Sequence, residues 1–137
     1  MELNDLPLKP AVLMYNMPQD ARTKAIRQYL AVNNIDCKDV PVSDYGQSLG
    51  TLLHLYGFSR RFSPAPSFDD EMLVLFAFDN SMLDAFLKFF RAFHLRPVSL
   101  KAVITPENVN WSSSMLHAEL CRERTQFESQ ARSRGKP

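Results

Sequence analysis

A polar loop near the end of the chain contains the residues best suited to hold a ligand. Residues 105–110 (TPENVN) follow a strand-like run and precede a helix start at Trp111 and Ser112. In open α/β sheets ligands sit where strands end, and an indole ring can stack on a planar molecule or a base. The pattern predicts a site for a small planar or anionic metabolite, formed by Thr105, Asn108, Asn110, Trp111 and Ser112.

A structural role explains the same loop. Thr105 and Asn108 could hydrogen-bond within their own turn. Ser112 or Asn110 could cap the following helix by accepting its free N–H groups, and Trp111 could be a large anchor in the core. The sequence leaves both interpretations open.

A second loop, at the corresponding place in the first half of the chain, supplies two more candidates. Residues 44–50 (DYGQSLG) contain Tyr45 and Gln47, which we add to the predicted ligand site. Gly46 and Gly50 could let the backbone approach a phosphate. Two glycines outside any dinucleotide-binding or P-loop pattern are weak evidence, and a tight turn into a helix explains them as well.

His117 and Cys121 are four residues apart, so a helix places them on one face. With Glu119 or Glu123 they could bind a metal or form a nucleophile pair. Two ligands make a poor zinc site, and a catalytic Cys–His pair usually draws its partners from different segments. We therefore predict no catalytic residues, no metal and no cofactor, and we expect Cys121 and Cys37 to be reduced thiols.

Two similar halves position these loops. The apolar run at residues 11–15 (AVLMY) returns at residues 72–76 (MLVLF), and each run is followed by a helix pattern, a second strand, a polar loop and a helix start. This repetition indicates an internal duplication. We predict one α/β domain at residues 11–128, made of halves 11–58 and 71–128 with a linker at 59–70. A lead-in at residues 1–10 and a frayed tail at 129–137 complete the chain.

The fold class expected from these elements is α+β. Two strand-helix-strand halves can form a ferredoxin-like sheet, with extra helices after the second and fourth strands. That order places the first and third strands centrally and the other two at the edges, which suits Pro41 in the second strand. A flavodoxin-like parallel sheet has the same central and edge strands, so it remains the alternative.

Composition limits the classes of partner. The chain has 137 residues and a net charge of +1, which disfavours nucleic acid, and no apolar run is long enough to cross a membrane. The N-terminus lacks the features of a signal peptide, so we expect a cytoplasmic protein. Arg60 and Arg61 lie between Phe58 and Phe62, an arrangement that could contact RNA. An edge strand or the phenylalanine-rich helix pattern at residues 83–93 could form a homodimer.

Several motifs together resemble an uncharacterised bacterial family. They are Thr105-Pro106-x-Asn108 with Trp111-Ser112, residues 44–47 (DYGQ), Gly57-Phe58 and residues 71–75 (EMLVL). The chain is similar over most of residues 11–123 to domain of unknown function 3783, a family of small proteins from gut-type anaerobic bacteria. The resemblance implies a bacterial, cytoplasmic, single-domain protein, and it brings no activity, cofactor or partner.

The function therefore stays unknown at the level of sequence. The leading hypothesis is a non-enzymatic ligand-binding or regulatory domain, because two loops at strand ends accompany no catalytic constellation. The partner would be a small molecule or another protein. A homodimeric protein-interaction module is the first alternative, and an RNA-binding module is the second.

Overall fold

The computed structural model describes residues 8–134. The first seven residues of the predicted lead-in and the last three of the predicted tail lie outside this range. The elements in chain order are β1 (Ala11–Tyr15), α1 (Ala21–Val32), β2 (Asp36–Asp39), α2 (Leu49–Leu52), β3 (Met72–Phe76), α3 (Asn80–Ala92), β4 (Leu100–Val103) and α4 (Ser113–Arg134). Short 3₁₀ turns occupy Val42–Asp44 and Asn108–Asn110. Residues 129–134, predicted as part of a frayed tail, continue helix α4.

The four strands form one mixed sheet in the order β2-β1-β3-β4. β1 is parallel to β2 and β3 is parallel to β4, whereas β1 and β3 are antiparallel, with Leu13 opposite Val74. The α+β class and the central position of β1 and β3 are as predicted. The arrangement is neither ferredoxin-like, which would interleave the strands of the two halves, nor the all-parallel flavodoxin-like alternative.

The physical reason lies in the crossover helices. A parallel strand pair joined by one helix is a complete βαβ unit, so each half keeps its own two strands as neighbours. The two units then meet through β1 and β3, whose side chains are buried on both faces. Val12 and Leu73 face the core under α1 and α3, while Leu13 and Val74 face a second core under α2 and α4.

Both crossover helices begin and end by the same means. Asp20 and Asp79 are the N-caps. Their carboxylates accept the backbone N–H groups of Thr23 and Met82, at 2.9 and 2.8 Å. Asn34 and His94 follow the helices with φ of 58° and 53°, the left-handed conformation that commonly ends a helix. The two βαβ units therefore share the same kind of helix start and helix end.

The edge position predicted for β2 is correct, but the strand stops at Asp39, before Pro41. Pro41 instead precedes the 3₁₀ turn that leads toward α2. Among residues 8–134, no helix combines the length and apolar character that a membrane crossing requires.

Candidate functional site

The two predicted loops come into direct contact across one face of the sheet. Ser48 and Ser112 form an isolated antiparallel bridge, and the backbone N–H of Leu49 donates to the carbonyl of Trp111 at 2.8 Å. The N–H of Ser114 donates to the carbonyl of Tyr45 at 3.3 Å. The loops of the two halves therefore form one composite surface.

Thr105 and Asn108 hydrogen-bond each other within this surface. The Thr105 N–H donates to Asn108 Oδ1 at 2.8 Å, and the Asn108 N–H donates to Thr105 Oγ1 at 3.0 Å. The buried Asn108 amide also donates to the Val103 carbonyl at 2.9 Å. These bonds fix the loop after β4, so the two side chains position the loop whatever else they contact.

The backbone N–H groups at the start of α4 already have partners within the protein. Ser112 Oγ accepts the Met115 N–H at 3.1 Å and so caps the helix, while the Ser114 N–H is taken by Tyr45. Trp111 is half-buried against the core under α4. Asn110 is exposed, and its amide makes only a long contact of 3.4 Å to the Pro106 carbonyl.

Tyr45 and Gln47 both lie in the first loop but serve different partners. Tyr45 is buried, its ring stacks on Phe68 at 4.5 Å between centroids, and its hydroxyl donates to Asn16 Oδ1 at 3.2 Å. Burial raises the pKa of its phenol. Gln47 donates to the Arg61 carbonyl at 2.6 Å and accepts the Arg61 N–H at 3.2 Å. Gln47 therefore fastens the connector, which we define as residues 53–71, to the first half.

Gly46 and Gly50 are explained by the same connector. A Cβ at Gly46 would lie 1.6 Å from the Ser63 carbonyl oxygen, and one at Gly50 would lie 2.7 Å from the Phe58 ring. The space above both glycines is filled by the chain itself, so neither backbone is open to a phosphate.

A groove of about 470 Å³ lies between the connector and the start of α4. We call it the connector groove. Arg61 is the charged residue among those that line it, and in residues 8–130 its guanidinium has no carboxylate partner. Three of the predicted site residues line this groove: Gln47, Asn110 and Ser112.

The other face of α4 borders a second groove of about 420 Å³. Thr105, Asn108 and Trp111 line it, so the structure divides the predicted site between two grooves. The charged residues there are Lys101 and three glutamates, Glu107, Glu119 and Glu123. An excess of carboxylates disfavours an anionic ligand on this side.

A basic groove of about 650 Å³, missed by sequence reasoning, lies at the end of α3. Its lining residues are Leu87, Phe90, Arg91, His94, Leu95, Arg96, Pro97 and Lys101. No acidic residue is among them, although Arg96 reaches Glu71 at 3.6 Å. Burial lowers the pKa of Lys101, whose ammonium donates to the Val98 carbonyl at 2.9 Å. The basic residues at and after the end of α3 were visible in the sequence. Only the fold shows that Lys101 lies in the same groove.

Three potential metal ligands converge where the connector meets α4. His117 and Cys121 share a helix face, as expected, with Sγ and Nε2 3.4 Å apart. Asp70, which sequence reasoning did not include, places Oδ2 2.8 Å from the same Nε2. Glu119 is paired with Arg122 instead. The acidic run before β3 was visible in the sequence, but only the path of the connector brings Asp70 to His117.

Comparison with known proteins supports the resemblance noted in the sequence. Residues 71–127 match the model of the family described as Domain of unknown function (DUF3783). The matched segment contains the loop after β4 together with His117 and Cys121, whereas Asp70 and the first-half loop lie outside it. Neither the search of curated proteins nor the search of solved structures found a match. The second half of the chain is therefore similar to this family, and the match does not extend to residues 1–70.

Proposed function

We propose that this protein is a non-enzymatic binding domain whose connector groove takes a small anionic metabolite. The observation that carries the proposal is the guanidinium of Arg61, the charged residue in a groove otherwise lined by hydroxyls, amides and a few apolar side chains. A volume of about 470 Å³ falls within the range usual for small-molecule sites. Arginine binds carboxylate and phosphate groups through paired hydrogen bonds.

The neighbouring arginine gives a useful contrast. Arg60 forms an ion pair with the largely buried Asp44 and so holds the connector to the first half. Arg61 makes its structural contacts to Gln47 through backbone atoms alone, which leaves its side chain for a ligand. Ser59, Ser63 and Asn110 would supply further hydrogen bonds to that ligand.

The predicted site residues divide into two roles under this proposal. Gln47, Asn110 and Ser112 line the groove. Thr105, Asn108, Trp111 and Tyr45 hold the loops that carry them.

The halves themselves fit descent from one duplicated βαβ unit, because both crossover helices have an aspartate cap and a left-handed residue after the last turn.

The test uses Trp111 as its reporter, because this tryptophan lies between Asn110 and Ser112. The intact chain would be titrated with inorganic phosphate, citrate, ribose 5-phosphate and adenosine monophosphate while tryptophan emission and the melting temperature are recorded. We expect at least one anion to change the emission and raise the melting temperature. Arg61→Gln should weaken that binding at least about tenfold, whereas Lys88→Gln, on α3 and outside the groove, should bind normally.

Two results would count against the connector groove. One is an Arg61→Gln variant that binds the active probe as tightly as the unaltered chain. The other is a complete lack of response to all four anions, because the proposal depends on Arg61 pairing with an anionic group.

RNA binding at the basic groove is a second candidate. Arg91, Arg96 and Lys101 line that groove together with His94, and Phe93, which precedes His94 in the chain, is 66% exposed. Cations interspersed with exposed aromatic rings suit single-stranded RNA. Salt-sensitive binding of a uridine oligonucleotide that Arg91→Gln weakens and Lys88→Gln does not would support it. Lys88 is the matched control because it is paired with Asp84 on the same helix.

Self-association and location are further proposals. Leu87 on α3 and Phe93 just after it present apolar surface, which a second copy could cover. Light scattering at high concentration decides this point, and a sharp monomer mass would reject a homodimer.

A cytoplasmic location is a separate proposal. Cys37 and Cys121 form no disulfide, which fits the reducing environment of the cytoplasm.

A further inference from the structure

The geometry points to a transition-metal site formed by Asp70, His117 and Cys121, separate from the connector groove. Asp70 comes from the connector and the other two residues come from α4. Their ligand atoms all lie within 4.8 Å of one another. A site of this composition would take zinc or a similar divalent ion.

The separation between the two donor atoms of α4 suits a tetrahedral ion. Zinc binds nitrogen at about 2.0 Å and sulfur at about 2.3 Å, which places those two ligand atoms about 3.5 Å apart. Cys121 Sγ and His117 Nε2 are 3.4 Å apart. Asp70 Oδ2, at 2.8 Å from the same nitrogen, would withdraw by about half an ångström to coordinate. Its side chain is 45% exposed and so has room to move.

The surrounding residues hold these donors in place without a metal. The His117 ring stacks on Phe68 at 4.0 Å between centroids with a 4° interplanar angle, which fixes the direction of Nε2. The Asn16 amide donates to the carbonyls of Phe68 and Asp70 at 2.9 and 3.0 Å. The connector is therefore fastened to the end of β1 on both sides of Asp69, and Asp70 is presented to α4.

The alternative of a catalytic triad does not fit the contacts. In such a triad the acid and the nucleophile contact opposite nitrogens of the imidazole, whereas Asp70 and Cys121 both approach Nε2. Atoms that converge on one point are arranged as ligands of a shared ion. A thiolate and an imidazole favour zinc, cobalt or copper over magnesium and calcium. Three protein ligands leave a fourth position for water or another ligand.

The test is to titrate Co²⁺ into the intact, reduced chain and record its absorption spectrum. We expect one ion per chain, with a cobalt–thiolate charge-transfer band and the intense visible bands of tetrahedral cobalt. Zn²⁺ should displace the cobalt and abolish both features. Asp70→Asn and Cys121→Ser should each lower the affinity by more than the roughly 10- to 100-fold that loss of an outer hydrogen-bond partner costs.

Cys37→Ser is the matched control. Cys37 is also a half-buried free thiol, but it packs against the core on the other face of the sheet. This variant should bind cobalt with the unaltered spectrum. Asp70→Asn and Cys121→Ser nearly preserve side-chain size, and circular dichroism would verify their fold. Cobalt binding without a thiolate band, or an unchanged affinity in either folded variant, would overturn the assignment.

Discussion

Tyr15 and Ser113 form a buried hydrogen bond that joins β1 to the start of α4. Their hydroxyl oxygens are 2.6 Å apart, and neither side chain is exposed. Tyr15→Phe should lower the free energy of unfolding by about 1–3 kcal/mol, because the Ser113 hydroxyl is left without its partner. The double variant Tyr15→Phe with Ser113→Ala should be less destabilised than the sum of the single variants. Urea denaturation measures all three, and strict additivity would contradict the proposed coupling.

The same tyrosine makes stability depend on alkaline pH. Burial raises the pKa of Tyr15 well above its ordinary value of 10.0. Above pH 10.0, the ordinary pKa, the unfolded chain releases a proton that the folded chain keeps. The free energy of unfolding therefore falls as pH rises, by about 1.4 kcal/mol per pH unit. Below the ordinary pKa the neutral phenol contributes its full stabilisation. Urea denaturation at a series of alkaline pH values should show a shallower decline for Tyr15→Phe, and an equal decline would refute this origin.

Some of the site was accessible from residue types and spacing, and some was not. The loops at residues 44–50 and 105–112 were predicted to be related, and they touch through Ser48 and Ser112. The contact between His117 and Cys121 followed from helical spacing. Asp70 was out of reach, because its approach to His117 depends on hydrogen bonds from Asn16 to a connector without regular structure.

At the scale of elements, a partly buried ion pair joins α1 to the start of β3. The Arg22 side chain is 8% exposed and Glu71 is 21% exposed, and Arg22 also donates to the Arg96 carbonyl at 3.1 Å. Glu71→Gln should lower the free energy of unfolding by about 2 kcal/mol, because Arg22 is left buried with only carbonyl partners. Asp39→Asn, which breaks the exposed pair with Arg27, should cost less than about 1 kcal/mol. Similar losses in chemical denaturation would contradict the role of burial.

The strands and helices were largely predictable, whereas their pairing was not. The apolar runs of β1 and β3 indicated central strands, and β3 ends at Phe76 because Ala77 adopts a φ of 60°. A run buried on both faces does not specify its neighbours, so the sequence could not distinguish separate βαβ units from interleaved halves. Pro41 correctly indicated an edge but lies beyond the end of β2.

At the scale of the whole molecule, the family match and the folded unit differ in extent. Residues 71–127 lack β1, the antiparallel neighbour of β3, and lack the Tyr15 partner of Ser113. In isolation this segment would expose the buried strand residues Leu73 and Val74 at an open edge. We expect residues 71–137 alone to show no cooperative thermal transition by circular dichroism. Co-expression with residues 1–70 should restore one, whereas a cooperative transition in the isolated segment would show that it folds alone.

The pairing of β1 with β3 also has a consequence for how copies of this chain can meet. An antiparallel ladder forms equally well with a strand from another molecule, so the first half of one chain can pair with the second half of another once the connector straightens. The hydrogen bonds of Gln47 to Arg61 and of Ser114 to Pro66 keep the connector folded back. Domain swapping, in which two chains would exchange halves and each resulting body would repeat the fold of a single chain, therefore requires these bonds and the β1–β3 ladder to open first.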